Sequence, residues 1–218
     1  MQSLSNITLT IDNRFTLAYG TSLNLNGSYP LKLAFNSNGF SSAALDGTFT
    51  LTDQTTYDAK YSVTKVSGTV NVNSSNAWFY STCSACTADT LQFLANANLN
   101  LNRDSCFIPK AIYDATSTIR LNHIISDAPT MYTSPTEVGN LIINSPNCTI
   151  NFALPASLDK IKGNLTVQQM GTGGLTLSSV EVLGITTMNK GKLTLWTSSF
   201  YDDIIVDTGK VEFWSSNL

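Results

Sequence analysis

Short runs in which every second residue is apolar make up most of this chain. Residues 4–52 alternate in this way, for example in Ile7-Thr-Leu-Thr-Ile11 and Phe49-Thr-Leu51. The joints between runs carry residues that favour turns, such as Asp46-Gly47. Alternation with a period of two between turn residues predicts short, half-buried strands, and no helix of ordinary length fits this stretch.

In the last third of the chain, five similar runs each begin with a glycine: Gly139, Gly163, Gly174, Gly191 and Gly209. Superposing these runs predicts two columns of inward apolar residues. The first column is Leu141, Leu165, Leu175, Leu193 and Val211, and the second is Ile143, Val167, Leu177, Leu195 and Phe213. Stacked apolar columns at recurring intervals are typical of a parallel solenoid.

The predicted fold is therefore all-β, a parallel β-solenoid (β-helix) with irregular rungs. An antiparallel β-sandwich is the alternative for the N-terminal half, because Asn26-Gly27 and Asn38-Gly39 suit two-residue hairpins. We expect an N-terminal β-rich region over residues 1–82 and a cysteine-containing insertion or junction over 83–110. Solenoid rungs over 111–218 follow, either separate from the N-terminal part or continuous with it.

The outward columns of the glycine-led runs contain two tryptophans. One column is Ile142, Thr166, Thr176, Thr194 and Glu212, and the next is Asn144, Gln168, Ser178, Trp196 and Trp214. If the interval of about 18 residues is one turn, Trp196 and Trp214 lie one rung apart and form an aromatic shelf for a sugar ring. The alternative is that both pack under a loop or against a neighbouring subunit.

Composition favours an uncharged, extended surface. The chain has 21 Asn, 25 Ser and 28 Thr among 218 residues, charged residues are only 12%, and the net charge is -3. Scattered Lys and Arg without a basic stripe argue against nucleic-acid binding. No apolar run reaches the length of a membrane span, and we expect no transmembrane segment. The N-terminus does not resemble a signal peptide, so the leader was removed or never existed, and the chain is interpreted as a candidate fragment of a longer protein.

Four cysteines, Cys83, Cys86, Cys106 and Cys148, are compatible with two disulfides in an oxidising compartment. Free buried thiols and a zinc site are the alternatives, but Cys106 and Cys148 lack the short spacing usual in zinc modules. We predict disulfides, no metal site and no cofactor.

Five Asn-x-Ser/Thr sequons are glycosylation candidates in a secreted glycoprotein. They begin at Asn6, Asn26, Asn73, Asn147 and Asn164. About this many arise by chance in a chain so rich in Asn, Ser and Thr, so the sequons permit secretion without demonstrating it.

The sequence offers little catalytic chemistry. Asp202-Asp203 is the adjacent acidic pair, but neighbouring strand residues point to opposite faces, and a turn is the simpler interpretation. The single histidine, His123, is interpreted as an ordinary strand residue. We therefore predict that the protein is not an enzyme. Ice binding is a minor alternative, suggested by Thr8, Thr10, Thr48–Thr52 and the column Thr166, Thr176 and Thr194.

The segment Ala156-Ser-Leu-Asp-Lys-Ile-Lys-Gly-Asn-Leu-Thr-Val167, followed by Leu175-Thr-Leu-Ser-Ser-Val-Glu-Val-Leu183, resembles the β-helix repeats of receptor L domains and of GPI-anchored fungal wall proteins. The resemblance covers residues 139–214 at the level of architecture. It implies an extracellular, non-enzymatic module for wall organisation, adhesion or ligand recognition.

Together these patterns predict a non-enzymatic structural or adhesive protein, extracellular or on the cell surface. It is either a filament subunit or a fragment of a longer β-solenoid, and its partners are further copies, other surface proteins or glycans. The alternative is a carbohydrate-binding module that uses Trp196 and Trp214, or a tailspike-like β-helix that processes glycans.

Overall fold

The computed structural model describes residues 6–26, 29–36, 41–81, 91–131 and 136–214. Within these ranges the chain forms 28 short β-strands and no helix. All strand pairs are parallel, and three successive strands make one turn of a three-sided β-solenoid. The predicted parallel β-solenoid is confirmed, with nine complete turns and one further strand.

The first side contains every third strand, starting at the first. Its strands are β1 Ile7–Ile11, β4 Leu31–Phe35, β7 Thr55–Asp58, β10 Trp78–Tyr80, β13 Phe107–Ile108, β16 Thr130–Met131, β19 Asn151–Ala153, β22 Gly174–Ser178, β25 Lys192–Trp196 and β28 Lys210–Trp214. They form three successive sheets, β1 to β10, β13 with β16, and β19 to β28.

The second side forms two sheets, β2 to β14 and β17 to β26. Its strands are β2 Arg14–Leu17, β5 Ser41–Leu45, β8 Ser62–Val66, β11 Leu91–Phe93, β14 Ile112–Tyr113, β17 Glu137–Val138, β20 Lys160–Ile161, β23 Glu181–Val182 and β26 Ser199–Phe200.

The third side is one continuous nine-stranded sheet. Its strands are β3 Ser22–Leu25, β6 Thr48–Leu51, β9 Thr69–Val72, β12 Asn98–Leu101, β15 Thr118–Leu121, β18 Asn140–Ser145, β21 Leu165–Met170, β24 Thr186–Met188 and β27 Ile204–Val206. This sheet takes strands from the N-terminal and C-terminal regions alike. Residues 91–108 also contribute rungs, as β11, β12 and β13.

The alternative of an antiparallel sandwich in the N-terminal half is wrong. Here β1 pairs in parallel with β4, β2 with β5 and β3 with β6. Gly27, Asn38 and Gly39 of the suggested hairpins lie outside the described residues. The described corners at Gly20, Gly47 and Gly68 lead the chain from the second side of the solenoid to the third instead of reversing it beside the preceding strand. At such a corner a Cβ on Gly47 would clash with backbone carbonyl oxygens of the turn below. Alternation alone specifies a strand with one buried face and does not specify the direction of its neighbour.

The core is a continuous column of apolar side chains inside the prism. On the third side, Phe49, Val70, Leu99, Ile119 and Leu141 stack on successive rungs and are fully buried. Aromatic rings fill the N-terminal half, as in the stacked pair Tyr57 and Phe79, with centroids 4.9 Å apart. The solenoid therefore buries its apolar surface by stacking rungs, and each rung depends on its neighbours.

Outward asparagines form a hydrogen-bonded ladder on the third side. Asn100 donates to the amide oxygen of Asn71 at 2.8 Å, and Asn122 donates to that of Asn102 at 2.7 Å. Stacked amides can donate to one another from rung to rung without the repulsion that stacked charges would cause. At Asn100 only the donor side of the amide is engaged, because its buried oxygen has no hydrogen-bond partner among the described residues. The preference of this sequence for Asn over Lys and Glu follows from this arrangement.

The predicted columns of the glycine-led runs combine two different sides and are corrected here. Leu141 pairs with Leu165 on the third side, whereas Leu175 pairs with Leu193 on the first side. One turn takes between 18 and 29 residues, because the corner loops differ in length. The short step from Gly163 to Gly174 therefore leads from one side to the next within a turn and is not a repeat.

Candidate functional site

Trp196 and Trp214 form a solvent-exposed stack at the C-terminal end of the first side. They are register partners on β25 and β28, so the predicted spacing of one rung is confirmed. Their ring centroids lie 5.3 Å apart with an interplanar angle of 5°. Their exposed fractions are 46% and 53%, so neither ring is covered by a loop among the described residues.

Local sequence sets this orientation. Leu193 and Leu195 alternate with Thr194 and Trp196 on β25, and the leucines are fully buried. The tryptophan must therefore project outward. The strand follows Gly191, whose φ of +121° is rarely accessible to residues with a side chain. This glycine directs the chain into the strand and fixes which residues face the core.

The two indoles form a ladder and not a flat shelf. Parallel rings at this separation adopt the offset-stacked geometry that aromatic pairs prefer. Each ring therefore covers part of one face of the other, the far face of Trp196 is turned towards the rung of Ser178, and the outer edges of both rings and the far face of Trp214 are left exposed. The arrangement offers a ligand an exposed indole edge and the open face of Trp214, beyond which no strand is described.

Charged groups lie on the same two strands as the indoles. Glu212 bridges two ammonium groups, Lys192 at 3.0 Å and Lys210 at 2.7 Å. Hydrogen bonds from Lys210 and Lys192 lower the pKa of Glu212. The ion pairs leave one positive charge in excess beside the ladder, which is too little to make a site for a polyanion.

A second outward aromatic cluster lies on the first side, around Trp78 of β10. The ring of Trp78 makes edge contacts with Tyr80 and Phe107, at centroid distances of 6.3 and 5.5 Å. The guanidinium of Arg103 lies 4.7 Å from its centroid, in cation–π geometry. Arg103 is itself buried, donates to the carbonyl oxygens of Ala77 and Ser105, and has a pKa lowered by burial.

Sequence reasoning did not identify Trp78 as a site residue. The run Trp78-Phe79-Tyr80 was the available signal, because alternation places Trp78 and Tyr80 on one face and Phe79 in the core. The structure shows Phe79 buried and Trp78 36% exposed.

The predicted disulfides are not found at Cys106 and Cys148. Both are free thiols with buried side chains, and burial raises the pKa of Cys106 to about 12. The thiol of Cys106 donates to the carbonyl oxygen of Arg103 at 2.8 Å, as a small core residue with a local partner. Cys83 and Cys86 lie outside the described residues. Within the described part of the chain, no group of three or more His, Cys, Asp and Glu side chains could hold a metal ion.

All five sequon asparagines are exposed on loops or just beyond strand ends: Asn6, Asn26, Asn73, Asn147 and Asn164. Two of these asparagines also accept hydrogen bonds from a later turn of the solenoid. The amide oxygen of Asn73 accepts a hydrogen bond from Asn102 at 2.8 Å, and that of Asn164 accepts one from the backbone N–H of Ile185 at 2.9 Å.

The candidate chemical groups of the sequence are not brought together. Asp202 and Asp203 are exposed in the turn between β26 and β27, where Asp202 accepts from the backbone N–H of Asp203 at 2.8 Å. His123 is exposed just beyond the end of β15, so its assignment to a strand is wrong. The chain leaves the third side after Leu121 and enters the loop that leads to β16 on the first side.

The threonines that suggested ice binding do not share one surface. Thr176 and Thr194 are partners on the first side, whereas Thr166 lies on the third side beside Ile142. Thr8 and Thr10 belong to the first side, and Thr48 and Thr50 to the third. The threonines that were expected to form one ice-binding surface are therefore divided between two sides of the solenoid.

No helix among the described residues is long and apolar enough to cross a membrane. Comparison with protein-family models, with curated proteins and with solved structures finds no match to this chain.

Proposed function

We propose that this protein is a non-enzymatic structural or adhesive protein of the cell surface or extracellular space, and that it binds glycans through the first side of its solenoid. The observation that carries the proposal is the exposed stack of Trp196 and Trp214. Tryptophan is usually largely buried, and exposing two adjacent rings costs hydrophobic free energy that burial elsewhere would recover. Exposed aromatic groups of this kind mark interaction surfaces.

Glycans suit this surface better than proteins with large apolar interfaces. The ladder presents narrow aromatic edges and one open ring face, with the hydroxyl groups of Thr194 and Ser178 on neighbouring outward positions. Sugar rings offer the matching combination of apolar C–H faces and hydroxyl groups. The exposure of all five sequons is compatible with the proposed extracellular location.

Three carboxylates on the strands are engaged in ion pairs, which supports a non-enzymatic role. Asp58 pairs with Lys32 at 2.7 Å, Glu181 with Lys160 at 3.1 Å, and Glu212 with two lysines. These acids lie on different rungs, and glycoside hydrolysis requires two carboxyl groups across one scissile bond.

The proposal is tested by the double variant Trp196→Ala/Trp214→Ala. We expect the wild-type protein to be retarded in affinity electrophoresis by at least one polysaccharide among cellulose, chitin, mannan and laminarin derivatives, and the double variant to lose this retardation. Tyr19→Ala is the control, because Tyr19 is 91% exposed at a corner between the second and third sides. Far-UV circular dichroism should show that both variants stay folded. Wild-type protein that none of these polymers retards would overturn the proposal, as would a folded double variant that is retarded as strongly as the wild type.

Self-assembly is a second candidate, favoured by the end rungs. Inward residues that are buried elsewhere are half exposed there, with Leu9 at 48% and Phe213 at 46%. The outer edges of β1 and β28 have no strand partner among the described residues. Unpaired edges of this kind can accept strands of another copy. The described strands make nine turns plus one strand, so the last of them, β28, lies on the first side. If a second copy continued the solenoid without a gap, its β1 would take the next position, on the second side, and stack on β26 of the first copy. Each copy would then be rotated by one third of a turn relative to the one before it.

Sedimentation velocity with negative-stain imaging tests this candidate. Rods whose length grows with protein concentration would support it, and Leu9→Lys should then dissolve them by placing a charge in the joint. A stable monomer at all concentrations would exclude it and leave the glycan proposal unaffected.

A further inference from the structure

We propose that the first side binds one extended, uncharged polysaccharide chain along the solenoid axis, with Trp78 as a second contact far from the Trp196–Trp214 ladder. This inference rests on the glycan-binding function proposed above. The observation behind it is that all three tryptophans of the chain lie on the same side of the prism, on β10, β25 and β28, and that all three are exposed.

The two aromatic contacts are well separated. Five turns lie between β10 and β25, as the uninterrupted third side shows. With a rise of about 4.8 Å per turn, the contacts are about 24 Å apart. A mono- or disaccharide cannot reach both, whereas an extended chain can. The solenoid fixes this distance, so no ordering of loops is needed to create the site.

The path between the contacts carries no charge on its outward strand positions. The side chains that project there are Phe107, Thr130, Asn151, Ala153, Thr176 and Ser178. Hydroxyl and amide groups can donate to and accept from sugar hydroxyls, and none of the described outward strand positions on this path carries an ammonium group that would attract a uronate or a sulfate. An uncharged polysaccharide therefore fits this surface better than an acidic one.

The indole ring of Trp78 is held in place by Arg103 and Phe107. Arg103 covers one face of the indole, and its guanidinium is fixed by backbone carbonyl oxygens. Phe107 on the next rung abuts the ring edge. The ring is thus preorganised, and its exposed part is available to a sugar without loss of side-chain freedom.

The experiment compares oligosaccharides of increasing length by isothermal titration calorimetry, using cello-, chito-, manno- and laminari-oligosaccharides from the disaccharide upward. For the series that binds, we expect Trp78→Ala to weaken the longest oligosaccharides about tenfold, which corresponds to about 1.4 kcal/mol. It should leave the shortest binding oligosaccharides unchanged. Trp196→Ala/Trp214→Ala should weaken all lengths.

A second variant does not depend on the packing of Trp78. Asn151→Arg places a long side chain in the middle of the path, and we expect the same selective loss of long oligosaccharides. Its matched control is Asn24→Arg, which changes an exposed asparagine on the third side. Unchanged affinity of Trp78→Ala and Asn151→Arg for long oligosaccharides, with loss only in the ladder variant, would overturn the extended site and retain glycan binding. Wild-type protein that binds no oligosaccharide of any series would overturn both proposals.

Discussion

The carboxylate of Asp104 links two consecutive turns of the solenoid, and replacing it should reveal how much one corner contributes to stability. It follows β12 and accepts hydrogen bonds from the backbone N–H groups of Ile125, Ser126 and Asp127 in the turn after β15. It also accepts one from the hydroxyl of Ser126 at 2.8 Å. In Asp104→Asn an NH₂ group replaces one oxygen and faces these donors.

The magnitude follows from the pKa of this carboxyl group. Although its partial burial alone would raise the pKa, the hydrogen bonds outweigh that effect and lower it from 3.8 to about 2. The difference corresponds to about 2.5 kcal/mol at 1.36 kcal/mol per pKa unit, and solvent screening of this partly exposed group reduces it to about 1 kcal/mol. Because the folded-state pKa is the lower one, this stabilisation is present above about pH 4 and is lost between about pH 4 and pH 2.

Urea unfolding followed by far-UV circular dichroism measures the effect. At neutral pH we expect Asp104→Asn to lower the free energy of unfolding by about 1 kcal/mol, and this difference from wild type should shrink as the pH falls below about 4. Asp53→Asn, an exchange at an exposed turn, is the control and should change little. A deficit of Asp104→Asn that is equally large near pH 2.5, between the two pKa values, and at neutral pH would refute the charge-based explanation.

Three further predictions concern the core and its corners. Gly68→Ala should destabilise the fold strongly, because the added Cβ would strike a backbone carbonyl oxygen of the preceding solenoid turn. In the control Gly20→Ala the added Cβ meets no neighbouring atom, and the variant should lose only about 1 kcal/mol of stability because of its positive φ. Thermal unfolding of both variants measures the difference. Leu99→Ala should cost about 2–5 kcal/mol in urea unfolding because its side chain is fully buried, and Val63→Ala, at an outward position, should cost less than about 0.5 kcal/mol. Cys106 should resist alkylation by iodoacetamide in the folded protein and react after unfolding, because its thiol is buried with a raised pKa; peptide mass spectrometry reports this, and labelling at the native state would contradict the structure.

Much of the site could be predicted because it depends on local alternation. A strand buried on one face leaves its polar and unusual apolar residues on the other, so the outward position of Trp196 and Trp214 and their one-rung spacing followed from the pattern around them. Their stacking as a ladder did not follow, because the angle of an exposed ring depends on contacts with its partner. The alternation around Trp78 indicates that its ring faces outward, but it does not indicate on which side of the solenoid the ring lies. Only the stacking of distant strands places Trp78 on the same side as the other two tryptophans, and it was therefore missed as a site residue.

The sequence by itself determined the strands, their buried faces and the all-β class, because a period of two is a property of a few adjacent residues. The tertiary structure decided which strands stack on one another. The turns vary from 18 to 29 residues, so similar runs that follow one another in sequence, such as those after Gly163 and Gly174, lie on different sides. Stacking is set by backbone hydrogen bonds and core packing between distant residues, and it alone brings the three tryptophans onto one side and leaves the thiols of Cys106 and Cys148 unpaired.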